Sequence, residues 1–387
     1  MKHLSKRILA SALALLLCLS LGSAAASAAG APEVTVTLSY ADVTGFGLTP
    51  QTQFTIPADL SEDYGFADDF SGAKVSVMDA MVYLHLLLLG DVTGYLDTFY
   101  YAAYDSWMVT NFMGDGMGAY MSFVNGEDPG LGAMAVEIKD GDTVDFFAIY
   151  DTYFWADYYT WFEVGGQRAG AVTVVTGDPL ELTLKASLYG SPMAGYHLED
   201  AEVVLLDIED AGGYNTAAFD DATVLAVIDD EGSPVVISFA SPGTYYVSAA
   251  SDYDYEPFMA PWLAVTVLTP AQAALAEAKA NAKAALDTYK NPADYRAAQK
   301  TELASAIAAG KAAIDAATDI TGVNAALAAA KTALDAVKTD AQLKAEETLL
   351  AKWHAKLPDW LKGIETLWPV LQYVILFVFF GWIWFLF

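Results

Sequence analysis

Cysteine is almost absent from this chain of 387 residues, and its scarcity excludes several kinds of chemistry. The single cysteine, Cys18, lies in an apolar run from Ile8 to Leu21 that follows three Lys and Arg residues and precedes Ala26-Ser27-Ala28. This pattern predicts a secretory signal over residues 1–28 that is removed on export. The mature chain then has no disulfide, no thiolate nucleophile and no cysteine-bound metal.

Basic residues are scarce between residues 31 and 270, where four Lys and Arg residues stand against 37 Asp and Glu residues, a balance of −33. So large an acidic excess disfavours nucleic acid and anionic lipid as partners, and it favours solubility, cations or basic ligands. A solvated acidic surface suited to the cell exterior is the simpler explanation. Histidine is also rare. In the mature sequence His85, His197 and His354 lie far apart, so they give no zinc-site pattern.

The last 21 residues, Leu367 to Phe387, contain no ionisable side chain. A helix of this length extends about 30 Å, the thickness of the hydrocarbon core of a bilayer. Trp368, Tyr373, Trp382 and Trp384 lie towards its two ends, where aromatic rings favour the membrane interface. We expect a transmembrane or membrane-anchoring helix over 367–387, with a buried core helix as the alternative. Three lysines precede the run and no basic residue follows it, which leaves its topology open.

The region 31–166 is predicted to be an α+β head made mostly of strands. Val34 to Tyr40 reads VTVTLSY, whose alternation indicates a half-buried strand. A helix is predicted from about Ser76 to Leu89, because Ser76 with Asp79 resembles a capping box and Gly90 supplies a stop.

Three hairpin strands are predicted after this helix. They are Tyr120 to Val124, Ala133 to Ile138 and Thr143 to Tyr150, separated by turns at Asn125-Gly126 and Asp140-Gly141.

The region 170–268 contains seven short β-rich runs separated by Gly, Pro and Asp turns. Seven strands in about a hundred residues are typical of an all-β immunoglobulin-like sandwich. One of the runs, PGTYYVSA, resembles the penultimate strand of immunoglobulin-like domains on bacterial surface proteins.

Composition changes at Thr269-Pro270 to Ala, Lys, Asp and Leu. Apolar residues at helical spacing, with Asn291-Pro292 and Thr321-Gly322 as breaks, predict three antiparallel helices, followed by a fourth from about Asp340. Residues 271–356 are therefore interpreted as an all-α bundle that serves as a stalk.

A resemblance to a known domain rests on two phrases of the head, SVMDAMVYL and MSFVNGEDPGLGAMAVEIKDGDTVDFFAIYD. They resemble a β-rich domain of unknown function related to the C-terminal domain of transcobalamin and intrinsic factor. The family's V-x-D-A-L, VNG and DGD phrases correspond to Val77 to Met81, Val124 to Gly126 and Asp140 to Asp142. The resemblance covers residues 34–164 and implies, as one alternative, capture of a corrinoid or similar small ligand.

The helical region carries a second resemblance. Its phrase AIDAATDITGVNAALAAAKTALDAVKTDAQLKAEE is similar to helical repeats on surface proteins of Gram-positive bacteria, some of which bind host or matrix proteins. The order of signal, head, sandwich, stalk and tail also resembles such a modular surface protein. The partners implied are an extracellular ligand, a glycan, or a host or matrix protein.

An aromatic cluster gives the candidate ligand-binding residues, because ten of the eighteen residues from Asp145 to Phe162 are aromatic. Rings beside carboxylates can stack on sugar faces or hold a cation. The candidates are Tyr153, Trp155, Tyr158 and Trp161. The same rings can also form the domain core or its contact with the sandwich, and both interpretations remain open.

Clustered carboxylates are the remaining signal, as at Asp140, Asp142 and Asp145. None of the clusters fits an EF-hand loop, and a turn between strands explains the DGD sequence better than calcium does. We therefore predict no metal and no cofactor. Acid pairs are abundant enough to keep an acid-dependent glycan hydrolase as an alternative.

Together these patterns predict a multidomain, non-enzymatic protein, exported and anchored to the bacterial cell membrane with its head facing outside. Its expected function is ligand binding or adhesion.

Overall fold

The computed structural model describes residues 32–66, 74–101, 106–114, 120–148, 158–188, 191–192, 198, 200–220, 222–229, 232–250 and 258–356. These residues form a mixed α/β structure, mostly strands in several sheets, with six α-helices. The chain divides into two compact units, the first ending at Thr269 and the second beginning at Pro270.

The two predicted terminal segments, 1–28 and 367–387 with Trp368, Tyr373, Trp382 and Trp384, lie outside the described residues. Within the described ranges, no helix combines the length and the apolar character needed to cross a membrane.

The strands are β1 Glu33–Asp42, β2 Gly45–Leu48, β3 Gln53–Pro57, β4 Val75–Ser76, β5 Asp97–Tyr101, β6 Ser106–Asn111, β7 Tyr120–Val124, β8 Glu137–Ile138, β9 Thr143–Ala148, β10 Tyr158–Val164, β11 Gln167–Arg168, β12 Ala171–Val175, β13 Leu180–Leu188, β14 Ser191–Pro192, β15 Glu202–Leu205, β16 Glu209–Asp210, β17 Asn215–Ala218, β18 Thr223–Val227, β19 Val235–Ile237, β20 Gly243–Ala250, β21 Phe258–Met259 and β22 Leu263–Leu268. The helices are α1 Leu60–Asp63, α2 Val77–Leu89, α3 Pro270–Asp287, α4 Ala297–Ala316, α5 Ile320–Ala336 and α6 Asp340–Ala355.

The first sheet has the order β16-β17-β2-β1-β9-β7, and β3 also pairs with β1. Its central pairing is parallel, between β1 and β9. Alternation in VTVTLSY places Val36 and Leu38 in the core, where they pack with Val144 and Phe146 of β9. The predicted strands over Val34–Tyr40 and Tyr120–Val124 are confirmed.

Helix α2 begins and ends where the sequence predicts. Ser76 and Asp79 form a capping box, and Gly90 ends the helix in the left-handed conformation at φ 78°. Asp79 is fully buried, and its carboxylate accepts four hydrogen bonds of 2.8 Å, from the backbone N–H and hydroxyl of Ser61 and of Ser76. One carboxylate therefore caps α2 and also fixes α1 against it.

Two further sheets form in the second half of the first unit. The second sheet has the order β11-β10-β13-β14, with β19 on β13 and β21 on β10, and the third has the order β12-β22-β20-β15-β18. The hydroxyl of Tyr245 donates to the carbonyl of Ser241 at 3.0 Å, as in the tyrosine corner of immunoglobulin-like sandwiches. An immunoglobulin-like assignment remains a prediction that this hydrogen bond supports.

Strand pairing crosses the predicted boundary between head and sandwich. Strand β10 precedes residue 166, yet it pairs with β13. The β16–β17 hairpin follows residue 170, yet β17 joins the first sheet beside β2. The residues of the two predicted domains therefore share both sheets.

The expectation of a strand over Ala133–Ile138 was wrong for most of its length. Ala133–Ala135 is a single 3₁₀ turn, and only Glu137–Ile138 is extended, as β8. Ala133 and Met134 are buried under α2, and Val136 accepts the hydrogen bond of Val77 N–H, which holds this segment at the helix start.

In the second unit, α3, α4 and α5 contribute to one core. Its fully buried centre includes Leu286, Ile314 and Leu334. The structure therefore has helices in the region after Thr269, as its composition predicts. The role of this unit as a stalk stays a prediction.

We expect Asp79→Asn to lower the free energy of unfolding by about 3 kcal/mol, because an amide nitrogen cannot accept hydrogen bonds and leaves buried donors unpaired. Urea unfolding of the full chain followed by tryptophan fluorescence measures this. Asp91→Asn is the matched control, since Asp91 is an exposed carboxylate that also accepts from its own turn, at Val92 and Thr93. A loss below about 1 kcal/mol is expected there. Equal losses in the two variants would contradict the role given to Asp79.

We expect Gly45→Ala to detach the β16–β17 hairpin from the first sheet. A Cβ at Gly45 would lie 2.2 Å from the carbonyl oxygen of Ala217, and the φ of +145° is itself unfavourable for other residues. Hydrogen exchange at Phe219, whose N–H bonds to Thr44, should accelerate at least about tenfold. Gly90→Ala, where no atom lies within 4 Å, is the control and should leave exchange at Phe219 unchanged. Unchanged exchange in Gly45→Ala would refute the steric argument.

Candidate functional site

Strand β10 carries two of the four aromatic candidates, on opposite sides. Tyr158 is 4% exposed and packs with Phe162 in the core formed by the second and third sheets. Trp161 is half-buried and shares the other side with Tyr159, as strand alternation requires. Tyr153 and Trp155 lie outside the described residues. Of these two side chains, Trp161 lines the cavity described next and Tyr158 does not.

That cavity has a volume of about 390 Å³ and lies between the first and second sheets. Strands β1 and β9 supply polar side chains, and β10 with the segment before β22 supplies aromatic ones. The members of its lining on which the chemistry depends are Ser39, Asp145, Tyr159, Trp161, Arg168 and Trp262.

A chain of hydrogen bonds crosses one wall of the cavity. The hydroxyl of Ser39 donates to Asp145 Oδ1 at 2.6 Å, and the hydroxyl of Tyr159 donates to Asp145 Oδ2 at 3.4 Å. Arg168 Nη2 donates to the Tyr159 hydroxyl, and its Nη1 donates to the carbonyl of Gly126 at 2.9 Å. The guanidinium is therefore fixed at the cavity without a direct bond to Asp145.

Two aromatic rings, those of Tyr159 and Trp161, also contact the Arg168 guanidinium. Arg168 Cζ lies 4.9 Å from the ring centre of Tyr159 and 5.4 Å from that of Trp161. Such cation–π contacts orient a guanidinium while leaving its edge open to solvent. The Tyr159 ring in turn stacks on Phe123 at 4.0 Å.

Trp262 forms a separate aromatic wall. It stacks on Tyr246 at 4.9 Å and meets Phe46 edge-on at 5.5 Å. These contacts fix the ring plane, so the cavity presents a rigid apolar surface opposite the polar strands.

Burial dominates the electrostatics of the two ionisable groups. It raises the pKa of Asp145 above its usual range, against the opposing effects of the Ser39 hydrogen bond, the nearby Arg168 charge and the Tyr159 hydroxyl. Burial also raises the pKa of Tyr159, reinforced by the neighbouring Asp145. The pKa values of both groups are therefore raised at this wall, beside the Arg168 guanidinium.

The three carboxylates of the DGD region point to different partners. Asp140 accepts from Thr35 N–H, and Asp142 accepts from Lys139 N–H and Asn125 Nδ2, so both stabilise turns. Asp145 instead faces the cavity. Across the described ranges, no three His, Cys, Asp or Glu side chains converge as a possible metal site.

His85 is a fully buried core histidine of helix α2. Its Nδ1 lies 2.8 Å from the carbonyl of Met81, and its Nε2 accepts from Met113 N–H at 3.1 Å. Burial lowers its pKa, which keeps the ring neutral.

No family model matches the chain, and no curated protein matches it. The resemblances of the head and of the helical region therefore stay predictions.

Sequence reasoning missed Arg168 and the role of Asp145 in this site. Arg168 is one of four basic residues in 240, and that rarity was the available signal. The pattern around Asp145 indicates a turn, because its place at the cavity depends on pairing with β1, more than a hundred residues away.

We expect Asp145→Asn to flatten the dependence of stability on pH. The pKa of Asp145 is higher in the folded state than in the unfolded state, where it is about 3.9. Its contribution to the free energy of unfolding is therefore complete at pH values below the unfolded pKa, and it is lost as pH rises through the folded pKa. An asparagine resembles the neutral acid and does not ionise. Thermal unfolding from pH 4 to pH 8 measures the slope. Asp178→Asn, at an exposed turn, is the control. A variant that follows the wild-type slope would rule out this role for Asp145.

Proposed function

We propose that this protein is a non-catalytic, exported cell-surface receptor, whose first unit binds an extracellular ligand in the cavity between the first and second sheets. The observation that carries the proposal is that cavity, with Trp161 and Trp262 as apolar surfaces and Arg168 as a fixed cation. Ligand sites of small molecules combine a mostly apolar lining with a few placed polar groups, in volumes of about 300–1,000 Å³. At about 390 Å³ the cavity suits a small molecule or the end of a chain, such as the terminus of a glycan.

The location belongs to the same proposal and rests on sequence. Residues 1–28 have the pattern of a secretory signal, and residues 367–387 have the length and composition of a membrane helix. The helices from Pro270 to Ala355 would then act as a spacer between membrane and binding unit.

A glycan hydrolase receives no specific support from the cavity. Glycoside hydrolysis needs two carboxyl groups about 5–10 Å apart. Among the described residues that line the cavity, Asp145 is the one carboxylate.

We expect the purified full-length protein, in detergent, to bind at least one member of a panel of corrinoids, cell-wall glycans, host glycans and matrix proteins. Trp161→Ala should weaken that binding about tenfold or more, because the ring is a wall of the site. Calorimetric titration measures the affinity.

Phe99→Ala is the matched control. Phe99 is an aromatic residue of β5, 57% exposed and outside the cavity lining, so its removal should leave affinity unchanged. Thermal unfolding shows whether each variant is folded. If nothing in the panel binds, or if binding survives both Trp161→Ala and Trp262→Ala, the proposal fails.

A further inference from the structure

Arg168 has unused hydrogen-bonding capacity. A guanidinium has five N–H donors, and the bonds of Arg168 go to the Gly126 carbonyl and the Tyr159 hydroxyl. Within the described ranges, no carboxylate oxygen of an Asp or Glu lies within 4.0 Å of an Arg168 guanidinium nitrogen, the limit for an ion pair. Arg168 lines the cavity with donors to spare, and a guanidinium is well suited to pairing with a carboxylate.

Two hydroxyls on the polar wall are also available. The parallel register of β1 with β9 places Thr37 beside Thr143, and both line the cavity. Neither hydroxyl has a hydrogen-bond partner within the part of the chain that the structure describes. Each can both donate and accept, which is what the hydroxyls of a sugar require.

We propose that the cavity binds a sugar residue that carries a carboxylate, such as a uronic acid at the end of a glycan. The carboxylate pairs with Arg168, the sugar hydroxyls bond to Thr37 and Thr143, and the ring face packs on Trp161 or Trp262. This inference rests on the proposed function and names the ligand class of the same cavity.

The acidic surface does not prevent this recognition. At about 0.15 M salt the Debye length is about 8 Å, so distant carboxylates are screened from the ligand. The acid in the cavity lining is Asp145, and its two oxygens accept hydrogen bonds from Ser39 and Tyr159 within the wall. Burial raises the pKa of Asp145, which lowers its tendency to ionise beside a bound carboxylate.

The test compares cellobiouronic acid with cellobiose, two disaccharides that differ only in a carboxylate. Calorimetric titration of the full-length protein should give at least tenfold tighter binding of the acid. Arg168→Met keeps the apolar stem and should bring the two affinities within about threefold of each other. Lys139→Met removes an exposed positive charge outside the cavity lining and should keep the preference.

Arg168→Lys is the second variant, used if Arg168→Met is unstable in thermal unfolding. Lysine keeps the charge but not the planar fork, so the preference for the acid should fall and not vanish. Equal affinity of the wild type for both disaccharides overturns the inference, as does an undiminished preference in folded Arg168→Met or Arg168→Lys. Binding of neither disaccharide, with Trp161-dependent binding of another panel member, overturns this inference and leaves the proposed function in place. Failure of the whole panel overturns the proposed function itself.

Discussion

The parallel pairing of β1 with β9 determines most of what the first unit can do. It joins segments more than a hundred residues apart, and its register sets Thr37 beside Thr143 and Ser39 beside Asp145. One face of these strands packs Val36, Leu38 and Phe146 against α2. The other face becomes the polar wall of the cavity. A shift of one residue would exchange the two faces and remove both the core and the site.

The first unit is held together by contacts between segments that lie far apart in the sequence. The β16–β17 hairpin joins the first sheet, and Gly45 permits the close approach because any side chain there would meet Ala217. Arg168, just after β10, reaches back to Gly126 beyond β7. The cavity lies where β1 and β9 of the first sheet meet β10 of the second, so much of its wall is built on paired strands.

The phrases that carry the resemblance of the head are explained by folding and not by ligand binding. In SVMDAMVYL, Asp79 caps α2 and fixes α1 through four hydrogen bonds. In the DGD phrase, Asp140 and Asp142 bond to backbone N–H groups and to Asn125, and so shape the turn before β9. Such phrases shape local structure and say little about what the protein binds, because the groups that they name already have hydrogen-bond partners within the protein.

Local sequence signals specify α2 with its cap and stop, the alternation of β1 and β7, and the change to helices at Pro270. Capping, turn chemistry and periodicity involve residues within a few positions of each other, so they can be read along the chain. Tertiary structure alone decided that β10 pairs with β13, that Tyr158 is core while Trp161 reaches the cavity, and that Asp145 and Arg168 meet at one wall. Those outcomes depend on which distant strands pair and in which register, and the free energy that selects a register comes from burying side chains that no local pattern brings together.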